Sequence, residues 1–116
     1  MSRACLDTNV LVYSVDEASP EKRESAQALM ARLAASALGA LSTQVLQEFY
    51  VAATRKLAVE PARARGIVRR MRVFEIVQVT PQLIEDGIDC SILNRLSFWD
   101  GLIVESARLA GCSMLY

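Results

Sequence analysis

Short apolar runs of strand length alternate along the chain with longer stretches whose apolar residues recur every three or four positions. The first run, residues 3–6, ends abruptly at Asp7, and Thr8 and Asn9 follow before a second apolar run at residues 10–13. Short side-chain oxygens of this kind cap helices. A buried strand is therefore expected to deliver Asp7 to the mouth of a sheet, with a short helix starting at once and ending near Asp16. Ser19 and Pro20 open a second helix through Ala26, Leu29, Met30 and Leu33, expected to stop near Gly39. Residues 40–42 read as a second strand, Thr43 as the cap of a third helix over 44–57, and Pro61 as the start of a fourth over 62–71. Residues 74–80 alternate and are rich in β-branched side chains, which predicts a third strand. Thr80 and Pro81 cap a fifth helix through Leu83, Ile84, Ile88 and Ile92. Ser97 caps a sixth over 99–110, ended by Gly111, and residues 113–116 begin a fourth strand.

Strands alternating with helices demand right-handed crossovers and a parallel sheet, so the chain reads as one α/β domain over residues 1–116. In open parallel sheets, ligands bind outside the carboxyl ends of the strands, which is where Asp7 stands. The fourth strand runs to the final residue, whereas a parallel strand ordinarily feeds a loop on Asp7's side of the sheet. The expectation is a domain shortened at its C-terminus.

Composition narrows the chemistry. With 116 residues, 53% of them hydrophobic, the chain can bury a single core. Thirteen Lys and Arg balance thirteen Asp and Glu, so net charge alone implies no polyanionic partner. There is no His, which removes His-based triads, His general bases and His zinc ligands together. Cys5, Cys90 and Cys112 are odd in number and widely spaced, without a Cys-x-x-Cys, and read as buried reduced thiols. Asp7 interrupts the N-terminal apolar run too early for a signal peptide, and no run is long enough to span a bilayer. A cytoplasmic protein with no membrane partner is expected.

Three acids occupy comparable places. Asp7 follows a strand, Glu48 sits one turn into the third helix, and Asp100 lies in the first turn of the sixth. At about 100° per residue, Glu48 falls at the edge of the face made by Val45, Leu46, Phe49 and Ala52. Asp100 lies beside Ile103, Val104 and Ala107, at the border of its helix's buried side, while Glu105 turns away near Arg108 and reads as solvated. Asp16, Glu17, Glu85, Asp86 and Asp89 also read as solvated surface. Carboxylates at the border of a core are costly unless compensated, and three converging would raise one another's pKa. A divalent cation removes both problems, and oxygen-only ligands point to Mg²⁺ or Mn²⁺ rather than zinc. The chemistry that follows is phosphodiester hydrolysis by a metal-activated water, which needs no His and no covalent nucleophile.

Each acid also has a plainer reading. Asp7 alone is a helix cap, Glu48 a solvated face residue, and Asp100 a charge complementing the helix dipole. Only their joint placement favours chemistry. An Asp-nucleophile phosphatase also begins with strand and Asp, but it wants a second carboxylate two residues on, where this chain has Asn9.

The stretches 6–13 (LDTNVLVY), 42–50 (STQVLQEFY) and 96–104 (LSFWDGLIV) give the chain a resemblance to the PIN domain family, and within it to VapC-like toxins of type II toxin–antitoxin pairs. The resemblance covers essentially the whole chain, in order and spacing. It implies a three-layer fold around a parallel sheet of order 3-2-1-4-5, here 3-2-1-4 with the fifth strand missing. It also implies a metal-dependent endoribonuclease whose first three acids are Asp7, Glu48 and Asp100, both catalytic and metal-binding, supported by Thr8, Asn9 and Thr43. Family members usually continue into a Ser/Thr-x-Asp turn that supplies a fourth acid. Its absence here leaves a second reading open: a catalytically incomplete PIN-fold module that binds RNA or protein.

Between Arg55 and Arg72 stand seven basic residues against one acid, Glu60, a cluster able to neutralise RNA phosphates. Arg55 and Lys56, two turns beyond Glu48, are the expected RNA contacts, the rest forming a solvated face. RNA as the substrate, a homodimer, and an antitoxin partner laying an apolar segment into a groove between the early helices are implied by the resemblance alone.

Overall fold

Four parallel strands form the middle layer of the computed structural model, which describes residues 2–116. In chain order the elements are β1 (Arg3–Cys5), α1 (Thr8–Tyr13), α2 (Pro20–Ser36), β2 (Gly39–Ser42), α3 (Thr43–Arg55) and α4 (Pro61–Arg70). A single 3₁₀ turn, Met71–Val73, leads into β3 (Glu75–Val77), followed by α5 (Pro81–Asn94), α6 (Phe98–Leu109) and β4 (Cys112–Leu115). The strand order is β3-β2-β1-β4, every pair parallel, as the sequence pattern and the resemblance together imply. An ion pair between Arg3 and Glu75 links β1 to β3 across the intervening β2.

Alternation along the strands divides the core between two faces. Ala4, Leu6 and Leu41 face one side, with Leu11, Leu33, Val45, Phe49, Ala53, Ala64 and Ile67 from the first four helices. Ala40 and Val77 face the other, with Leu83 of α5 and Leu102 of α6. Right-handed crossovers put the helices there: the chain steps from β1 outward to β3 over one face and returns to β4 over the other. Asp7, at the end of β1, is thus overlooked from both layers.

Local chemistry explains most element ends, with instructive exceptions. Thr80 and Ser97 cap α5 and α6 as the sequence suggests, their hydroxyls accepting from the Leu83 and Asp100 N–H groups. Gly111 takes the left-handed conformation just past α6, at φ 72°. At α3 the capping hydroxyl is that of Ser42, the last strand residue, which accepts from Val45 N; Thr43 is already helical and its hydroxyl accepts from Val79 N instead. Gly39 does not end α2. Ala37 takes the left-handed cap position, and Gly39 opens β2, where a Cβ would lie 2.5 Å from the Phe74 ring. The third strand is shorter than its apolar run, three residues against residues 74–80.

The α5–α6 hairpin packs unusually close because Gly101 has no side chain: a Cβ there would meet the Gly87 carbonyl oxygen at 2.6 Å and Ser91 N at 3.0 Å. That approach fixes the first turn of α6, and with it Asp100. Among the described residues no helix is long and apolar enough to cross a membrane, and all three cysteines are free.

Candidate carboxylate centre

Asp7 emerges at the carboxyl end of β1 with extended backbone (φ −83°, ψ 162°) and caps α1. Its main-chain N–H donates to the Tyr116 carbonyl at 2.9 Å, so the end of β4 helps to fix it. Its Oδ1 accepts from Thr8 N at 2.6 Å. The carboxyl is half-buried, and burial is the main force raising its pKa above the ordinary 3.8. The Thr8 N–H opposes the rise; the neighbouring charges of Glu48 and then Asp100 add to it. Two of the acids the sequence singles out, Glu48 and Asp100, therefore act on the third, Asp7, at this strand end.

Glu48 arrives from the opposite direction along the chain, on α3, and is held at both oxygens. Oε2 accepts from the Thr8 hydroxyl at 2.9 Å, and Oε1 accepts from Gln44 Nε2 at 2.7 Å. Thr8, itself buried, therefore bridges two acids, its N–H on Asp7 and its O–H on Glu48. This bridge spans 40 residues of sequence. Gln44 is not among the expected supports, although its spacing of one helical turn before Glu48 is a usable signal. Its own Oε1 is buried without a hydrogen-bond partner, an acceptor left free beside the acids.

The third acid differs. Asp100 is exposed rather than set at a buried border, and its main-chain N–H is bound by the Ser97 cap. Asn9 is exposed and makes no side-chain hydrogen bond to Asp7, and Thr43 bonds Val79 rather than a carboxylate. Of the three expected supports, only Thr8 touches the acids. Glu105 departs from its expected solvation: its side chain is 17% exposed and paired with Arg108 at 3.1 Å.

Arg55 and Lys56 are exposed at the end of α3, about 10 Å along the helix axis from Glu48. Arg63, Arg65, Arg69, Arg70 and Arg72 are exposed as well. An apolar groove of about 650 Å³ lies between α3 and α4, walled by Leu46, Tyr50, Val51, Pro61 and Val68 with Arg65 at its side. It lies later in the chain than the groove between the early helices that the resemblance suggests.

The donors fit a hard divalent cation by their chemistry: carboxylate oxygens only, one of them destabilised by burial and like charge, and an unpaired amide oxygen on Gln44. Among the described residues, however, no three acidic or thiol side chains meet as a finished cation cage. Like charges with nothing between them stand apart, and Glu48 is turned toward Thr8 and Gln44.

Comparison with known proteins agrees with this architecture. No curated protein matches the chain significantly. Among solved structures, a chain of a toxin–antitoxin complex from Klebsiella pneumoniae superposes with a TM-score of 0.69 at 23% identity, over 97% of this chain and 84% of that one. VapC20 of Mycobacterium tuberculosis, a sarcin–ricin-loop-cleaving toxin, superposes with a TM-score of 0.70 at 22% identity, over 97% of this chain and 87% of its own. At such identity these two share the fold. The PIN domain family itself matches residues 4–116, which takes in all of the sheet but Arg3, both helical layers and all three acids. By sequence and by architecture alike, the chain belongs to the PIN domain family.

Proposed function

We propose that this protein is a metal-dependent endoribonuclease and the toxin of a type II toxin–antitoxin pair, acting in the cytoplasm as a homodimer. The observation that carries the reading is Asp7, a carboxyl at a parallel-sheet mouth, destabilised first by burial and further by the charges of Glu48 and Asp100. Carboxylates gathered at one strand end are stable together when a cation draws them in. The toxin identity draws support from the two solved relatives, one from a toxin–antitoxin complex and one a sarcin–ricin-loop-cleaving toxin.

Asp7, Glu48 and Asp100 would hold Mg²⁺ or Mn²⁺, with the Gln44 amide oxygen close by. When bound, the cation supplies activation of water and neutralisation of charge on the phosphodiester. The chain's own contribution is orientation. Thr8 fixes Asp7 and Glu48 relative to each other, and the Ser97 cap with the close Gly101 contact fixes the first turn of α6 under Asp100. Arg55 and Lys56 would neutralise flanking phosphates and hold the strand in register with the acids.

A second reading, an RNA- or protein-binding module that does not cut, draws on the open arrangement of the acids. Purified full chain, a generic RNA and Mn²⁺ separate the two. Cleavage that EDTA stops, and that Asp7→Asn abolishes while circular dichroism stays unchanged, is expected. Undiminished cleavage by Asp7→Asn would remove the site assignment, and binding without cleavage would favour the module.

A further inference from the structure

We propose that Gln44 is a fourth member of the cation site, its side-chain oxygen Oε1 accepting from a water that the cation carries in. This rests on the cation site of the ribonuclease reading above and adds to it a residue outside the three acids. Gln44 is 4% exposed and lies in the first turn of α3, just past the carboxyl end of β2. Its amide is half used. Nε2 donates to Glu48 Oε1 at 2.7 Å, while the amide's own Oε1 is closed to solvent and has no hydrogen-bond partner. A side-chain amide offers two donors and an oxygen with two lone pairs, and folded proteins satisfy nearly all such groups once they are buried.

The amide has one workable orientation. Reversed, its oxygen would stand 2.7 Å from a carboxylate oxygen, acceptor against acceptor. Glu48 therefore fixes which end of the amide stays free, and the free end is an acceptor. The neighbouring polar groups all have partners: the Ser42 hydroxyl accepts from Val45 N, and the Thr43 hydroxyl from Val79 N. Among the described residues, Gln44 Oε1 is the one buried side-chain oxygen left without a partner; the other unpartnered atom, Arg3 Nε, is a donor at the opposite end of β1 from Asp7. An acceptor one amide width from the atom that touches Glu48, and shut off from bulk water, is served by what Glu48 itself binds. Mg²⁺ sits on one or two carboxylates and gives up its waters reluctantly, and each retained water is a polarised donor. A cation on Glu48 thus brings Gln44 the donor that the fold lacks, and the one-turn spacing on α3 keeps amide and carboxylate side by side.

An NMR titration of the full chain with Mg²⁺, its glutamines labelled with ¹³C at the side-chain carbonyl and assigned through the backbone, reads the contact without RNA or cleavage. Gaining a donor at the oxygen moves the carbonyl carbon downfield, whereas losing the Nε2 bond to Glu48 moves it upfield. The expected result is a downfield shift of Gln44 that saturates with the cation, is absent from Gln27, Gln78 and Gln82, and disappears in Asp7→Asn. Gln44→Met has neither donor nor acceptor. It should weaken Mn²⁺ binding about 10–100-fold, followed by the paramagnetic resonance of free Mn²⁺, and by more than Thr8→Val, which removes only a donor to Glu48. The titration of the native chain decides the matter even where Gln44→Met fails to fold. A Gln44 carbon that stays still or moves upfield while Mg²⁺ binds overturns the proposal and leaves the cation site standing. Equal losses in Gln44→Met and Thr8→Val do the same. A native chain that binds neither Mg²⁺ nor Mn²⁺ overturns the cation site together with it.

Discussion

The two faces of the sheet contribute to the centre in opposite ways. The face covered by α1 to α4 carries the larger buried cluster, including the wholly buried Phe49, Leu11 and Val45. The acid it supplies, Glu48, is pinned at both carboxylate oxygens. The α5–α6 face buries fewer residues and leaves Ile88, Ile92, Leu93 and Trp99 exposed. Its acid, Asp100, is exposed and located by its backbone alone. Asp7 sits on the strand between them. The contrast teaches that two of the acids are built into the fold, while the third stands at the surface.

The contrast can be broken from its heavy side first. Phe49→Ala is expected to cost about 4 kcal/mol, because a fully buried ring leaves a cavity that the sheet and helices cannot collapse into. Leu83→Ala on the lighter face should cost about 2–3 kcal/mol in the same chemical-denaturation experiment. Equal losses would mean that the two faces do not differ in rigidity.

The bridge between the acids comes next in size. Thr8→Val keeps the shape and removes the hydroxyl that Glu48 accepts, and Gln44→Leu removes the other donor. Each should lower cleavage or Mn²⁺ affinity about 10–100-fold, the usual effect of losing a group that orients a ligand. Gly101→Ala tests the lighter face. Its Cβ collides with backbone, so α6 must shift, costing about 1–3 kcal/mol and displacing Asp100. Fold stability and cleavage should fall together there, but in Thr8→Val cleavage should fall more than stability. Replacing Arg55 and Lys56 by Ala leaves the fold untouched and should flatten the dependence of log binding on log salt, by about one unit for each phosphate that is no longer neutralised.

How much of this is legible in the sequence depends on the range of the interactions. Strand order and layer count follow from alternating periods read with the family motifs. The Thr80 and Ser97 caps are readable because the cap and its helix are neighbours. Two adjacent hydroxyls at residues 42 and 43 defeat the same reasoning, since the choice depends on where β2 ends and on Val79, which lies far along the chain. Gly39 looks like a helix stop because its reason for being glycine is the Phe74 ring, a contact no local pattern records. In the centre, the three acids can be named from spacing, but the Thr8 bridge across 40 residues cannot. Asp100 lies farther out than its helical wheel suggests, because a wheel gives direction without saying whether anything lies there. Glu105 lies deeper than its wheel suggests, because its partner Arg108 and the neighbouring α5 shield it.

The proposed reading makes Asp7, Glu48 and Asp100 a cation site, in which the metal offsets the burial and the like charges that raise Asp7. Folding raises the Asp7 carboxyl, so it favours the protonated form. The contribution of this group to stability is full below about 3.8 and is lost as pH rises through the raised folded-state value. Near neutral pH without metal, Asp7 therefore opposes folding, and Asp7→Asn should melt higher than the native protein. The decisive measurement is the melting temperature of both proteins at neutral pH, with EDTA and with saturating Mn²⁺. A ligand at 100 times its Kd stabilises its site by about 2.7 kcal/mol, so the native protein should gain several degrees. Asp7→Asn should start higher and gain little. The same Mn²⁺ gain in both proteins, or a metal-free Asp7→Asn that melts lower, would contradict the account.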